Sequence, residues 1–168
     1  MTKYYKIITE HSQFAYVYNI KNVLDIPSGT RFVAKENEGP GGGLNLQGAF
    51  LHFTDNEFDT MLWHDILGWD DDADNNGTFN IFAQKGQIYE IKPLGPVTKE
   101  RCDDYIRTFQ CGAKAIEIVK PIDKAELFKA AIKSFEQDPM GKMRTYPDLN
   151  MKETIAAWSK QKRSKYTF

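Results

Sequence analysis

The stretch KGQIYEIKPLGPV, residues 85–97, decides how the rest of the chain is read. Gln87–Lys92 is rich in β-branched and aromatic residues and alternates with the period of a strand. Pro93 has no N–H to give a ladder and ends the strand, and Leu94-Gly95-Pro96 turns the chain. Before it, Thr78–Ala83 alternates in the same way, and Gln84-Lys85-Gly86 between the two predicts a hairpin. After it, Thr98 predicts a helix cap, with Cys102, Tyr105, Ile106 and Phe109 on the buried side of that helix. Lys114–Val119 then predicts another strand, stopped at Pro121.

Working further outward, residues 3–9, 14–20, 30–34 and 49–53 also read as strands. In the second of these Phe14, Tyr16, Tyr18 and Ile20 fall on one face. From Thr54 or Asp55 the period changes to that of a helix, with Phe58, Met61, Leu62, Ile66 and Trp69 on one side. Two more helices are predicted at the C-terminal end. Asp123 and Glu126 make a capping-box-like start before Leu127, Phe128, Ala131, Ile132 and Phe135. Asp138-Pro139-Met140-Gly141 breaks that helix, and Asn150 starts a last one carrying Met151, Ile155 and Trp158. Strands first and helices last, with one or two helices inserted, predict an α+β fold on a mostly antiparallel sheet. The expected division is residues 1–122 as the α+β domain and residues 123–168 as a helical extension.

Length and composition set limits on function. The chain has 168 residues, enough for a sizeable core, and is 41% hydrophobic and 27% charged. A net charge of −1 gives no overall field toward nucleic acid or membrane. Only residues 160–168 are strongly basic, with four positive charges and no negative ones, so Lys160–Lys165 is the expected place for contact with phosphates or an acidic partner. Cys102 and Cys111 match neither a disulfide framework nor a zinc motif, and Met1–Ile8 is too short an apolar run for a signal peptide. The expectation is a cytoplasmic chain with reduced thiols and no membrane span.

Several short motifs carry candidate chemistry. Asp72, Asp74, Asn76 and Gly77 reproduce the opening of a calcium loop, with oxygen donors at alternate positions. The twelfth position is Ala83, where a bidentate Glu is needed, so an acidic loop before a hairpin is the competing reading. Residues 39–43, GPGGG, read as a flexible loop beside a cleft; no Lys-Ser/Thr follows to make a phosphate loop. His52 lies in an apolar strand and His11 in a polar loop. Glu100 falls in the first turn of the predicted helix from Thr98, where it complements the helix dipole. Asp103 and Asp104 would lie on its solvated face.

GQIYEIKPLGPV resembles the central strand and turn of the small ADP-ribosyltransferases that inactivate rifamycin antibiotics. LHFTDNEFDTMLWHDIL (51–67) is similar to that family's strand-then-helix segment, AYVYNIKNVLDIPSGTRFVA (15–34) to its first strand and loop, and CGAKAIEIVKPI (111–122) to its closing strand. The likeness covers residues 15–122. It implies a curved, mostly antiparallel sheet around a dinucleotide cleft, NAD as the cofactor, and a macromolecular acceptor. The family has a His in its first strand and a Tyr in its second; this chain has Tyr18 and His52 there, and the His nearest the first position is His11. The resemblance therefore implies catalytic roles for His52, Glu100 and Asp103, and cofactor contacts from His11, Tyr18, Tyr89 and Glu90. A chain that keeps this fold without the family's residues in register works instead by binding, for example as a phage- or plasmid-encoded inhibitor of a host protein.

Overall fold

The computed structural model describes residues 1–35, 49–66, 86–101 and 108–159. Among these the elements run β1 (Tyr4–Thr9), α1 (Gln13–Val17), β2 (Arg31–Val33), β3 (Leu51–Phe53), α2 (Glu57–Ile66), β4 (Gly86–Pro93), β5 (Thr98–Arg101), β6 (Phe109–Ala113) and β7 (Ala115–Pro121). Three helices follow: α3 (Lys124–Gln137), α4 (Pro139–Thr145) and α5 (Met151–Ser159). The fold is α+β, with every described strand pairing antiparallel.

Four strands lie in the order β1-β4-β7-β2 and three in the order β3-β6-β5. The two sheets join at one point, where Tyr5 and Thr54 exchange both backbone hydrogen bonds at 2.9 Å. β4 is the hub, with β1 on one edge and β7 on the other. The β1 ladder ends at Ile91, so the N–H that Pro93 lacks falls on an edge already past its partner. Leu94 still donates to Ala115 O at 2.8 Å, and Gly95 then turns with φ of 116°. The strand stops where its neighbour stops.

Alternation along the hub strands produces two cores. Ile8, Tyr89, Ile91, Ile116 and Ile118 face one way, toward α1 and toward Leu51, Phe53, Cys111 and Ala113 of the three-stranded sheet. Tyr5, Ile88 and their neighbours face the other way, against Phe58, Met61 and Leu62 of α2, Leu127, Phe128 and Ala131 of α3, and Met151 and Trp158 of α5. The C-terminal helices are thus one wall of the second core, immediately after the boundary expected at residue 122.

Two expected elements differ. Residues 14–20 are not a strand. The Ser12 hydroxyl accepts from Ala15 N and starts α1, and Phe14 and Tyr18 meet at helical spacing with ring centroids 4.7 Å apart. Thr98 does not cap a helix either. Thr98–Arg101 pairs with β6, and Glu100 is therefore a strand residue opposite Gln110, not a first-turn carboxylate. Phe109, expected on that helix, opens β6. Residues 78–83, the expected hairpin partner, lie outside the described residues.

Candidate functional site

Below the Tyr5–Thr54 junction the two sheets part. Residues 52 and 54 of an extended chain present their backbone groups to the same edge, so the next acceptor after Thr54 O is His52 O. No β1 amide takes it. The Lys6 ammonium does, at 2.7 Å, and lies 4.6 Å from the centre of the Phe14 ring. Lys6 is 2% exposed, an unusual position for a lysine, with a carbonyl and an aromatic face beside its ammonium. A lysine side chain thus stands between the sheets where a ladder would have continued.

On the three-stranded sheet, directly paired residues share a face. His52 pairs with Gly112, Gly112 with Thr98, and Gln110 with Glu100. His52, Gln110, Glu100 and Thr98 therefore line one face, and Leu51, Phe53 and Cys111 the other. His52 is 7% exposed and Gln110 4%, whereas Glu100 is half-buried and Thr98 exposed, so the face is buried at β3 and β6 and opens to solvent along β5. It brings together two of the three residues expected to be catalytic, from segments nearly fifty positions apart. Asp103, the third, lies outside the described residues.

The residues expected to hold a cofactor are dispersed. Tyr89 is sealed in the first core, its hydroxyl donating to Val23 O at 2.6 Å and accepting from Ile26 N at 3.0 Å. Glu90, next to it on β4, points to the opposite face, opposite Tyr5 in register. Tyr18 packs against Phe14 and Phe32 and donates to Val33 O at 2.6 Å. His11 is exposed on the turn after β1, 3.6 Å from Glu10. The first-strand residue beside His52 is Lys6, because the expected strand 14–20 is replaced by α1, Gln13–Val17. The sequence carried a signal for it: in KYYKIIT, Lys6 alternates with Tyr4 and Ile8 and so belongs to the core face.

A second polar cluster surrounds the first turn of α2. Asp59, 4% exposed, accepts hydrogen bonds from the Tyr146 hydroxyl and from Asn56 Nδ2, the latter at 2.8 Å. Lys99 Nζ bridges both Asp55 oxygens at 3.1 Å and stands 3.9 Å from Asp59 Oδ2. Burial pushes the Asp59 carboxyl above the usual carboxylate range, against the pull of Tyr146, Asn56, Lys99 and Lys142. Burial, with the Asp55 charge adding to it, pushes the Cys111 thiol up to about 12. Asp55 and Glu57 also border an open hollow of about 510 Å³ with Met1, Thr2 and Lys3. Tyr146 lies 87 positions from Asp59, and nothing in either local pattern announces the pair.

Among the described residues no group of three His, Cys, Asp or Glu is placed to hold a metal ion. The calcium-like residues Asp72, Asp74 and Asn76, the glycine loop 39–43 and the basic residues 160–165 lie outside them. No described helix is long and apolar enough to cross a membrane. No family model, no curated protein and no solved structure matches the chain.

Proposed function

We propose that the chain binds NAD against the polar face of its three-stranded sheet and transfers ADP-ribose to a macromolecular target, or hydrolyses the same bond. The observation that carries this reading is the placement of His52, Gln110 and the half-buried Glu100 on one face of the three-stranded sheet. The Glu100 carboxylate would stabilise positive charge developing on the ribose as the glycosidic bond breaks, and the His52 ring would border the same space. The acceptor is a cellular protein, and the setting the cytoplasm, in keeping with two cysteines that form no disulfide framework. Incubation with NAD should release nicotinamide or label an acceptor, and Glu100→Gln should abolish this while leaving the melting temperature near that of the wild type. No turnover with water or with varied protein acceptors refutes the reading.

One set of observations favours a second reading, a non-catalytic binding protein of the same fold. The hydroxyls of Tyr89 and Tyr18 are engaged with backbone groups, and His11 is exposed on a distant turn. Retention of one stoichiometric, unmodified host protein on the immobilised chain, together with inert NAD, selects this reading over the first.

A further inference from the structure

β5 is the outermost strand of the three-stranded sheet, four residues long, and among the described residues only β6 pairs with it. A short strand with a single ladder frays easily, so whatever else holds β5 decides how firmly its side chains are aimed. Thr98 and Glu100 project to one face of the sheet, Lys99 and Arg101 to the other. On that second face the Lys99 ammonium and the Arg101 guanidinium lie over the Phe109 ring, 5.3 and 5.4 Å from its centre. Lys99 also reaches out of the sheet. Its ammonium meets both oxygens of Asp55 at 3.1 Å, and Asp59 Oδ2 stands 3.9 Å away. These carboxylates are fixed in turn. Asn56 Nδ2 donates to Asp55 Oδ1 and to Asp59 Oδ2, each at 2.8 Å, while Asn56 Oδ1 accepts from Asp59 N at 2.8 Å. The Tyr146 hydroxyl donates to the other Asp59 oxygen. α2, which begins here, buries Phe58, Met61 and Leu62 in the second core. The cation of an edge strand is thus seated in a socket built on a firmly packed helix.

We propose that Lys99 is a positioning residue: by tying β5 to the start of α2 it fixes the direction of Glu100, its neighbour on the opposite face. The catalytic part of this role rests on the proposed action of Glu100 at the ribose. Stabilising a developing cation depends on distance and direction, and a displacement of about 1 Å costs on the order of 10²-fold in rate. The Lys99 and Asp55 side chains are 40% and 24% exposed. A pair this exposed adds little to global stability, so its loss should loosen β5 and leave the rest of the fold in place.

Three variants of the full chain test this. Lys99→Met keeps a stem over Phe109 and removes the charge, Asp55→Asn removes the partner instead, and Lys99→Arg keeps the cation. In Lys99→Met and Asp55→Asn, hydrogen-exchange protection of the β5–β6 ladder should fall about tenfold relative to the β1–β4 ladder, with the melting temperature nearly unchanged. NMR cross-peaks between the side chains of Glu100 and Gln110, opposite each other in register, should weaken in the same two variants. Nicotinamide release should lose about 10- to 100-fold in kcat with little change in KM for NAD, and Lys99→Arg should restore all three readouts. The proposal fails if β5 protection and the Glu100–Gln110 cross-peaks survive in both Lys99→Met and Asp55→Asn, if the β1–β4 ladder loses protection equally, or if β5 loosens while turnover is unaffected. A wild type inert toward NAD refutes the enzymatic role alone; the exchange and cross-peak series then still decides whether Lys99 aims Glu100.

Discussion

The Tyr89 hydroxyl serves two backbone partners, Val23 O and Ile26 N, and so ties the loop before β2 to the middle of the hub strand. Tyr89→Phe keeps the ring and leaves both backbone groups unpaired in a buried place, so it should destabilise the chain by about 1–3 kcal/mol in urea unfolding. Cys111 makes the opposite point about reactivity. It is 1% exposed, and its thiol is held up to about 12 by burial first and by the Asp55 charge second. An unfolded thiol ionises near 9, so Cys111 contributes stability that is whole below about pH 9 and is lost as pH rises toward 12. At neutral pH, alkylation of the native chain read site by site in a mass spectrometer should leave Cys111 unmodified, and mild urea should expose it. The sequence showed neither role. QIYEIK identifies a strand, but which hydroxyl meets which carbonyl depends on a loop more than sixty positions away.

At the scale of elements, local chemistry was legible where one signal acted alone. The alternation in β1, β4 and β7 and the helical spacing in α2 and α3 were enough to place those elements. Asp123 caps α3 as its sequence context announced, accepting from Ala125 N at 2.9 Å. The two misread segments each carried two signals. FAYVYNI alternates aromatic residues like a strand, yet Ser12 ahead of it and the Phe14–Tyr18 pair four apart belong to a helix. Thr98-Lys99-Glu100-Arg101 opens like a helix, but its backbone pairs with β6, and that tertiary signal decided it. The turn between β4 and β5 rests on Gly95, whose φ of 116° suits glycine and strains other residues. Space around it is open, so only the backbone resists substitution. Gly95→Ala should therefore cost about 1–3 kcal/mol, visible as a lower melting temperature, with the β4–β7 ladder intact by NMR.

For the whole molecule, the strand-first, helix-last order gave the α+β class, but it suggested a body with an appendage. The C-terminal helices instead complete a core that the sheet cannot close alone. Without them Phe58, Met61, Leu62 and Ile88, each at most 1% exposed, would face water. At about 1.5–3 kcal/mol for each large apolar side chain, that exposure rivals the whole stability of an ordinary domain of about 5–15 kcal/mol. A chain of residues 1–122 should therefore fail to fold, giving a collapsed proton NMR spectrum; a well-dispersed one would show that the sheet stands without its helical wall.

Among the described residues the outer limits of the strand array are short and blunted. β5 presents Lys99, Glu100 and Arg101, and β2 is three residues long, with Val33 O already taken by the Tyr18 hydroxyl. Two copies meeting rim to rim would find charge on one side and a plugged acceptor on the other, so the architecture itself resists growing into ribbons or fibrils.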